Sequence, residues 1–244
     1  MKKRKINHTP ALGLLAGLLL TIFTANACVA QGIKGDGNVM KQERSVGSFN
    51  GIEVGGAFKV FLTQGDNEAV VVEADQNLLD IIETEVRGNT LKITARKDIR
   101  NSEALNVYVT FKDLGSLDVS GACNLSNDGK LKLGDLDLDC SGASDVELKM
   151  SASAVTMDCS GASHMDLYGM AETLVMDISG ASSVDASDFE VKTCEAEVSG
   201  ASHGKVFVTG ELSAEVSGAG SLKYKGDAVI KDPEVSGAGS LKKL

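Results

Sequence analysis

The chain has 244 residues, 34 of them acidic and 24 basic, for a formal charge of −10, with 27 glycines, 2 prolines and no tryptophan. Such an acidic chain is repelled by phosphate, which argues against nucleic acid or an anionic lipid surface as a partner and leaves cations as plausible ligands. An apolar content of 43% is too high for disorder, and the glycine excess favours regular β structure with tight bends.

Residues 1–30 read as a secretory signal peptide: a basic MKKRKINHTP, the fourteen-residue apolar run Ala11–Thr24, then the small residues ANACVA. The run is too short for a spanning helix of about twenty residues, and no later stretch is long and apolar enough. Small residues permit cleavage after Ala27 or after Ala30. Ala25-Asn26-Ala27 before Cys28 resembles a lipobox, in which Cys28 becomes the lipidated first residue, although Ala25 and Asn26 depart from its usual pattern. The expected location is the periplasm, outer membrane or cell surface, with Cys28 as the sole membrane contact. Removing residues 1–30 takes away Lys2, Lys3, Arg4 and Lys5 and no acid, so the balance moves from 24 − 34 = −10 to 20 − 34 = −14.

Residues 31–45 read as a linker or first strand. The glycine-rich Gly32–Gly37 does not follow a strand in a βαβ context, so no phosphate loop is expected. Residues 46–115 predict irregular first coils, with strands over Val46–Leu62 and Ala69–Ala74 separated by the turn Gln64-Gly65-Asp66-Asn67. A short helix is predicted over 75–83, with Asp75 as N-cap. Thr84–Ala95, turning at Gly88-Asn89, and Leu105–Phe111 return to strand.

Residues 116–244 are governed by a repeat. Ser-Gly-Ala recurs at Ser120, Ser141, Ser160, Ser179, Ser199, Ser217 and Ser236, at gaps of 21, 19, 19, 20, 18 and 19 residues, with a weaker copy at Val54-Gly55-Gly56-Ala57. Around each copy apolar residues alternate: Leu136, Leu138, Cys140, Val146, Leu148 and Met150 share one parity, and Asp137, Asp139, Asp145, Glu147 and Lys149 the other. Period two means a strand with one buried face. A nineteen-residue unit cannot bury that face alone, but stacked units can, so the expected fold is an all-β solenoid of parallel coils. A β-sandwich, the alternative, gives no reason for the phrase to repeat in register. The glycines Gly121, Gly142, Gly161, Gly180, Gly200, Gly218 and Gly237 are expected at corners, where Gly142 and Ser144 hold the inward parity because the backbone leaves no room there. Lys223, Lys225, Lys231, Lys242, Lys243 and Pro233 at the C-terminal end discourage edge-to-edge growth.

Within this frame the candidate chemistry is sparse. Seven near-identical serines cannot each be a nucleophile, and His164 and His203 lack counterparts in most copies, so no catalytic residue is expected. Cys140 and Cys159 occupy positions where other copies carry valine or isoleucine and read as core thiols in poor geometry for a disulfide, while Cys123 and Cys194 have no zinc spacing. The residue two before each serine is acidic in every copy: Asp118, Asp139, Asp158, Asp177, Glu197, Glu215 and Glu234, with Glu53 in the weaker one. Stacked coils would set these carboxylates in a ladder, each pair repelling by roughly 1 kcal/mol even in water. Solubility explains such a ladder, and Ca²⁺ binding is the sharper expectation.

The stretch Phe49–Ile93, with its GIEV-x-G opening, TQGD turn and EADQNLL segment, followed by serial SGAS units, resembles the auto-transporter adhesin "head GIN" domain family of exported bacterial proteins common in Bacteroidetes. The resemblance covers roughly residues 34–244 and implies a right-handed, three-sided β-helix with no catalytic residues to carry over. The expected function is a non-enzymatic, adhesin-like envelope protein whose partner is a cell-surface component or glycan. The alternatives are a polysaccharide-active enzyme, disfavoured by minimal coils and only three tyrosines (Tyr108, Tyr168, Tyr224), and a purely structural spacer.

Overall fold

The computed structural model describes residues 32–244, so the signal peptide expected over 1–30, with Cys28 and both expected cleavage points, lies outside the described residues. Every regular element among them is a β-strand. The alternation in the sequence becomes alternation in burial: Asp135–Cys140 and Ala154–Cys159 bury every second residue. Their inward side chains, Leu136, Leu138, Cys140, Val155, Met157 and Cys159, are buried to 1% exposure or less. Burying a leucine or methionine side chain contributes about 1.5–3 kcal/mol, so the stack is stabilised along its whole length.

Two walls of parallel, in-register strands run along the solenoid. The first contains Thr90–Ala95, Gly51–Gly56, Ser116–Gly121, Asp135–Cys140 and Ala154–Cys159, then the later halves of His164–Ile178, Ser183–Val198 and His203–Val216, and ends with Val229–Val235. The second begins with Leu105–Phe111 and Lys59–Gln64 and runs through Asn124–Asn127, Asp145–Ser151 and the earlier halves of the same long strands to Ser221–Lys225 and Ser240–Lys243.

Between the walls lies the Ser-Gly-Ala corner. Gly142 has φ 80°, and its equivalents from Gly121 to Gly237 have φ between 65° and 89°, the left-handed region that only glycine enters freely. The expectation that these glycines point inward is corrected: Gly142 is exposed. The crowding is axial, because a Cβ on Gly142 would lie 2.4 Å from the carbonyl oxygen of Gly121 in the preceding coil. That oxygen accepts a hydrogen bond from Ala143 N at 2.7 Å, which ties the corners together. The next residue does face inward. Ser144 is buried, and its Oγ donates to the Ser141 carbonyl at 3.0 Å.

The N-terminal region departs from simple chain order. Gly51–Gly56 pairs with Thr90–Ala95 on one side and Ser116–Gly121 on the other, so the coil over 51–64 is inserted between the coil over 90–111 and the coil over 116–127. Antiparallel strands close this end: Ala69–Asp75 lies between Val39–Arg44 and Leu105–Phe111, and Ile82–Arg87 pairs with Thr90–Ala95. The helix expected over 75–83 does not form. Residues 76–81 are successive turns, with Leu78 N bonded to Asp75 O and Ile81 N to Leu78 O. Gln76 N bonds Asn38 O, which ties the first turn to the neighbouring strand. The Asp75 carboxylate caps other segments, accepting from Gly37 N at 2.6 Å, Glu103 N at 2.9 Å and Ala104 N at 3.4 Å.

The C-terminal end is open. Val235, whose column mates Val198 and Val216 are buried, is 49% exposed. The edge strand there is blunted by Pro233 and by Asp232 at φ 41°, which breaks the register beside it.

Candidate functional site

The acidic column lies in register. Glu53 pairs with Asp118, and the series continues through Asp139, Asp158, Asp177, Glu197 and Glu215 to Glu234. Strand pairing sets neighbours about 4.8 Å apart. Lys92 occupies the same column below Glu53 and closes that end with an ion pair at 2.5 Å. Farther along, Asp118, Asp139 and Asp177 hold protons more tightly than usual. Partial burial is the largest cause at Asp118, followed by the charges of Asp139 and Glu53; at Asp139 it is burial, then Asp158 and Asp137; at Asp177, burial and then Asp158. Among the described residues no three acidic, histidine or cysteine side chains converge as a chelating metal centre. The ladder therefore presents carboxylates singly, coil by coil.

The second wall carries a groove of about 380 Å³ lined by Lys59, Phe61, Asn124, Leu125, Ser126, Asp145 and Glu147. Phe61 is held in place from behind. Its ring stacks on Tyr108 at 5.1 Å and 18°, and the Tyr108 hydroxyl donates to Glu73 at 2.7 Å. Asn106 Nδ2 donates to the same carboxylate at 2.9 Å, and Lys41 lies 3.5 Å from it and 5.0 Å over the Tyr108 ring. Hydrogen bonds from Asn106 and Tyr108 hold Glu73 ionised below its ordinary range, while the bond to Glu73 raises the tyrosine. An apolar ring face bordered by amide, hydroxyl, ammonium and carboxylate groups is the chemistry that recognises a sugar ring. The sequence reading missed this cluster, because its members come from four strands and share no spacing.

The remaining candidates are structural in their surroundings. Cys123, Cys140, Cys159 and Cys194 are free and buried, and Cys140 pairs in register with Cys159. Burial pushes the Cys194 thiol up to about 12 and raises Cys123, so neither is a thiolate nucleophile. His164, which directly follows the corner residue Ser163, lies 3.4 Å from Asp166 on the outside of the second wall, and no hydrogen bond joins its side chain to a serine among the described residues. A further groove of about 250 Å³ at the N-terminal end has the buried Asp75 in its lining, already bonded to three backbone amides.

A family model described as "Putative auto-transporter adhesin, head GIN domain" matches residues 48–228. Among solved structures, the chain is similar to a putative adhesin from Bacteroides fragilis, with 22% identity and TM-score 0.81 over 87% of this chain and 100% of that one. A putative adhesin from Parabacteroides distasonis has 24% identity and TM-score 0.70 over 87% and 100% of the two chains. A putative lipid binding protein from the same organism has 20% identity and TM-score 0.68 over 88% and 100%. At these identities the likeness is one of fold. No curated protein matches the chain.

Proposed function

The chain belongs to the putative auto-transporter adhesin, head GIN domain family, and from that premise we propose that it is an exported, non-enzymatic envelope protein that binds a cell-surface glycan on the outside of its solenoid. The observation that carries this reading is the groove floored by Phe61 and edged by Lys59, Asn124, Asp145 and Glu147. A rigid aromatic face and a few polar groups suit a sugar, which binds by stacking and hydrogen bonding and needs no chemistry from the protein. Coils of 18 to 21 residues provide no long loops to wall a catalytic cleft, which favours binding over a polysaccharide-active enzyme. In this reading the coils are right-handed, as nearly all parallel crossovers are, and three-sided. Residues 1–30 direct export, and Cys28 carries a lipid anchor. Mass spectrometry of the native N-terminus tests both.

The test of the binding reading is a glycan array with the mature chain, repeated with Phe61→Ala. The expected result is binding to a restricted glycan set, lost in the variant while the melting temperature changes little. Glycan cleavage without retention supports the enzyme. Absence of any glycan or envelope binding supports the spacer.

A second reading concerns the ladder. Its carboxylates share a column, and at Asp118, Asp139 and Asp177 partial burial first and the neighbouring carboxylates second push the group toward protonation. We propose that Ca²⁺ bridges successive coils there as a counter-ion, held by Asp118, Asp139, Asp158, Asp177, Glu197, Glu215 and Glu234. Calorimetric titration with Ca²⁺ is expected to give heat that disappears when Asp139 and Asp158 are both changed to Asn; no heat with the wild type ends the idea.

A further inference from the structure

One outward column of the second wall changes sign midway. Glu147, Asp166 and Asp185 follow one another in register, and the same column continues as Lys205, Lys223 and Lys242. Three acids are thus stacked below three lysines, although alternation would relieve like-charge contacts along the column. Only the junction is paired internally, with Lys205 Nζ 2.7 Å from Asp185. Glu147 turns to Lys149 at 2.8 Å and Asp166 to His164 at 3.4 Å. Lys223 and Lys242 have no ion-pair partner among the described residues. All six side chains reach solvent.

We propose that this face docks on a second copy of the chain, in an antiparallel two-fold dimer. A two-fold axis along the strand direction, between the coils of Asp185 and Lys205, reverses the coil order and lays the column against itself. Asp185 then faces Lys205 of the other copy, Asp166 faces Lys223, and Glu147 faces Lys242. Each contact occurs twice, so six ion pairs form from one self-complementary column, as an isologous interface requires. The spacing is matched automatically, because both copies have the same coil rise. Six coils of about 4.8 Å and strands of about 20 Å bury on the order of 1,100 Å² over both copies, the lower range for a specific interface. Lys59 and Phe61 lie beyond the last facing coil, so most of the glycan groove stays open. The dimer does not depend on the glycan reading.

Sedimentation of the mature chain tests it, because complementary charges weaken with salt. The wild type is expected to be dimeric at low salt and to dissociate at high salt. Lys223→Glu with Lys242→Glu turns four of the six pairs repulsive and is expected to weaken the dimer about a hundredfold; Glu147→Lys with Asp166→Lys does the same. An equimolar mixture of these two variants restores every pair and is expected to re-form the dimer, which also shows that both are folded. The proposal is overturned by a wild type that stays monomeric at low salt up to about 100 µM, by a dimer indifferent to both reversals, or by a mixture that stays monomeric. A monomer whose lysines bind polygalacturonate overturns it too and assigns the column to a polyanion.

Discussion

Gly142 lacks a side chain for two independent reasons: its φ of 80°, and the Gly121 carbonyl oxygen 2.4 Å from where a Cβ would sit. The left-handed conformation costs another residue roughly 1–2 kcal/mol, and relieving the contact must also push neighbouring coils apart. Gly142→Ala is therefore expected to lose about 3 kcal/mol in denaturant unfolding, whereas Ala143→Gly, at the exposed neighbour, loses about 1 kcal/mol or less. The inward serines divide differently. Ser163 Oγ donates to the Ser160 carbonyl at 3.0 Å, while Ser202 Oγ is buried without a partner. Ser163→Ala should cost about 1 kcal/mol and Ser202→Ala nothing or less, since an unsatisfied hydroxyl gives up no bond. Equal losses at the two sites would contradict this. The small-residue column was legible from the repeat. Its cause was not, because the period-two pattern breaks at the left-handed glycine, so it assigns Gly142 to the wrong side and is silent about approach along the axis.

At the scale of the element, the ladder and the N-terminal closure respond oppositely to acid. Asp118, Asp139 and Asp177 bind protons more tightly folded than unfolded, so their contribution to stability is fully present below the ordinary carboxylate pKa and is lost as pH rises through their raised values. Asp139→Asn should accordingly stabilise the protein by a few tenths of a kcal/mol at pH 7 and low salt, and by nothing near pH 3, after discounting for exposure. Asp75 is the reverse case. Burial raises its pKa, but bonds from Gly37, Glu103 and Ala104 outweigh it and the net shift is downward. Its contribution is present above the unfolded value and is lost as pH falls. Asp75→Ala leaves three backbone amides without their acceptor at the groove and is expected to cost about 2 kcal/mol, with hydrogen exchange rising first over residues 35–38 and 102–105. Uniform exchange along the whole chain would show that Asp75 does not clamp this end. The ladder could be read from spacing alone, because parallel in-register stacking turns equal sequence intervals into contact. The same arithmetic contains the Glu147–Lys242 column, at intervals of 19, 19, 20, 18 and 19 residues, but no one residue type recurs along it to mark the period. The helix over 75–83 misled because an N-cap aspartate before two leucines is a local signal. Partners more than twenty-five residues away in sequence took the capping carboxylate.

At the scale of the molecule, the decisive asymmetry is between its two ends. The inserted coil over 51–64 makes the N-terminal end non-local, since its pairing with Ser116–Gly121 must wait for residues more than fifty positions later. No residue in 46–115 announces that insertion, which is why only irregularity was legible there. Beyond residue 116 each coil meets its immediate neighbours, so stability is close to a sum of coil and interface contributions. The regular coils should therefore tolerate removal of a whole unit and reject removal of a fraction. Deleting residues 160–178 joins Cys159 to Ser179, restores the phrase DCSGAS, and keeps every remaining inward residue in parity. The new interface stacks Met157 over Ala196 in place of Met176, so some packing is lost, and a stability decrease of about 2–4 kcal/mol is expected with a cooperative transition retained. The denaturant slope should fall only in proportion to the coil removed. Deleting residues 160–169 instead removes one corner with the first six residues of the strand His164–Ile178 and displaces the next corner by half a coil. Gly180 then has no Gly161 beneath it and the acidic column loses register. That variant is expected not to fold, and far-UV circular dichroism with a urea titration separates the two. If the half-coil deletion folded as well as the whole-coil one, the corner column would not be what sets the register.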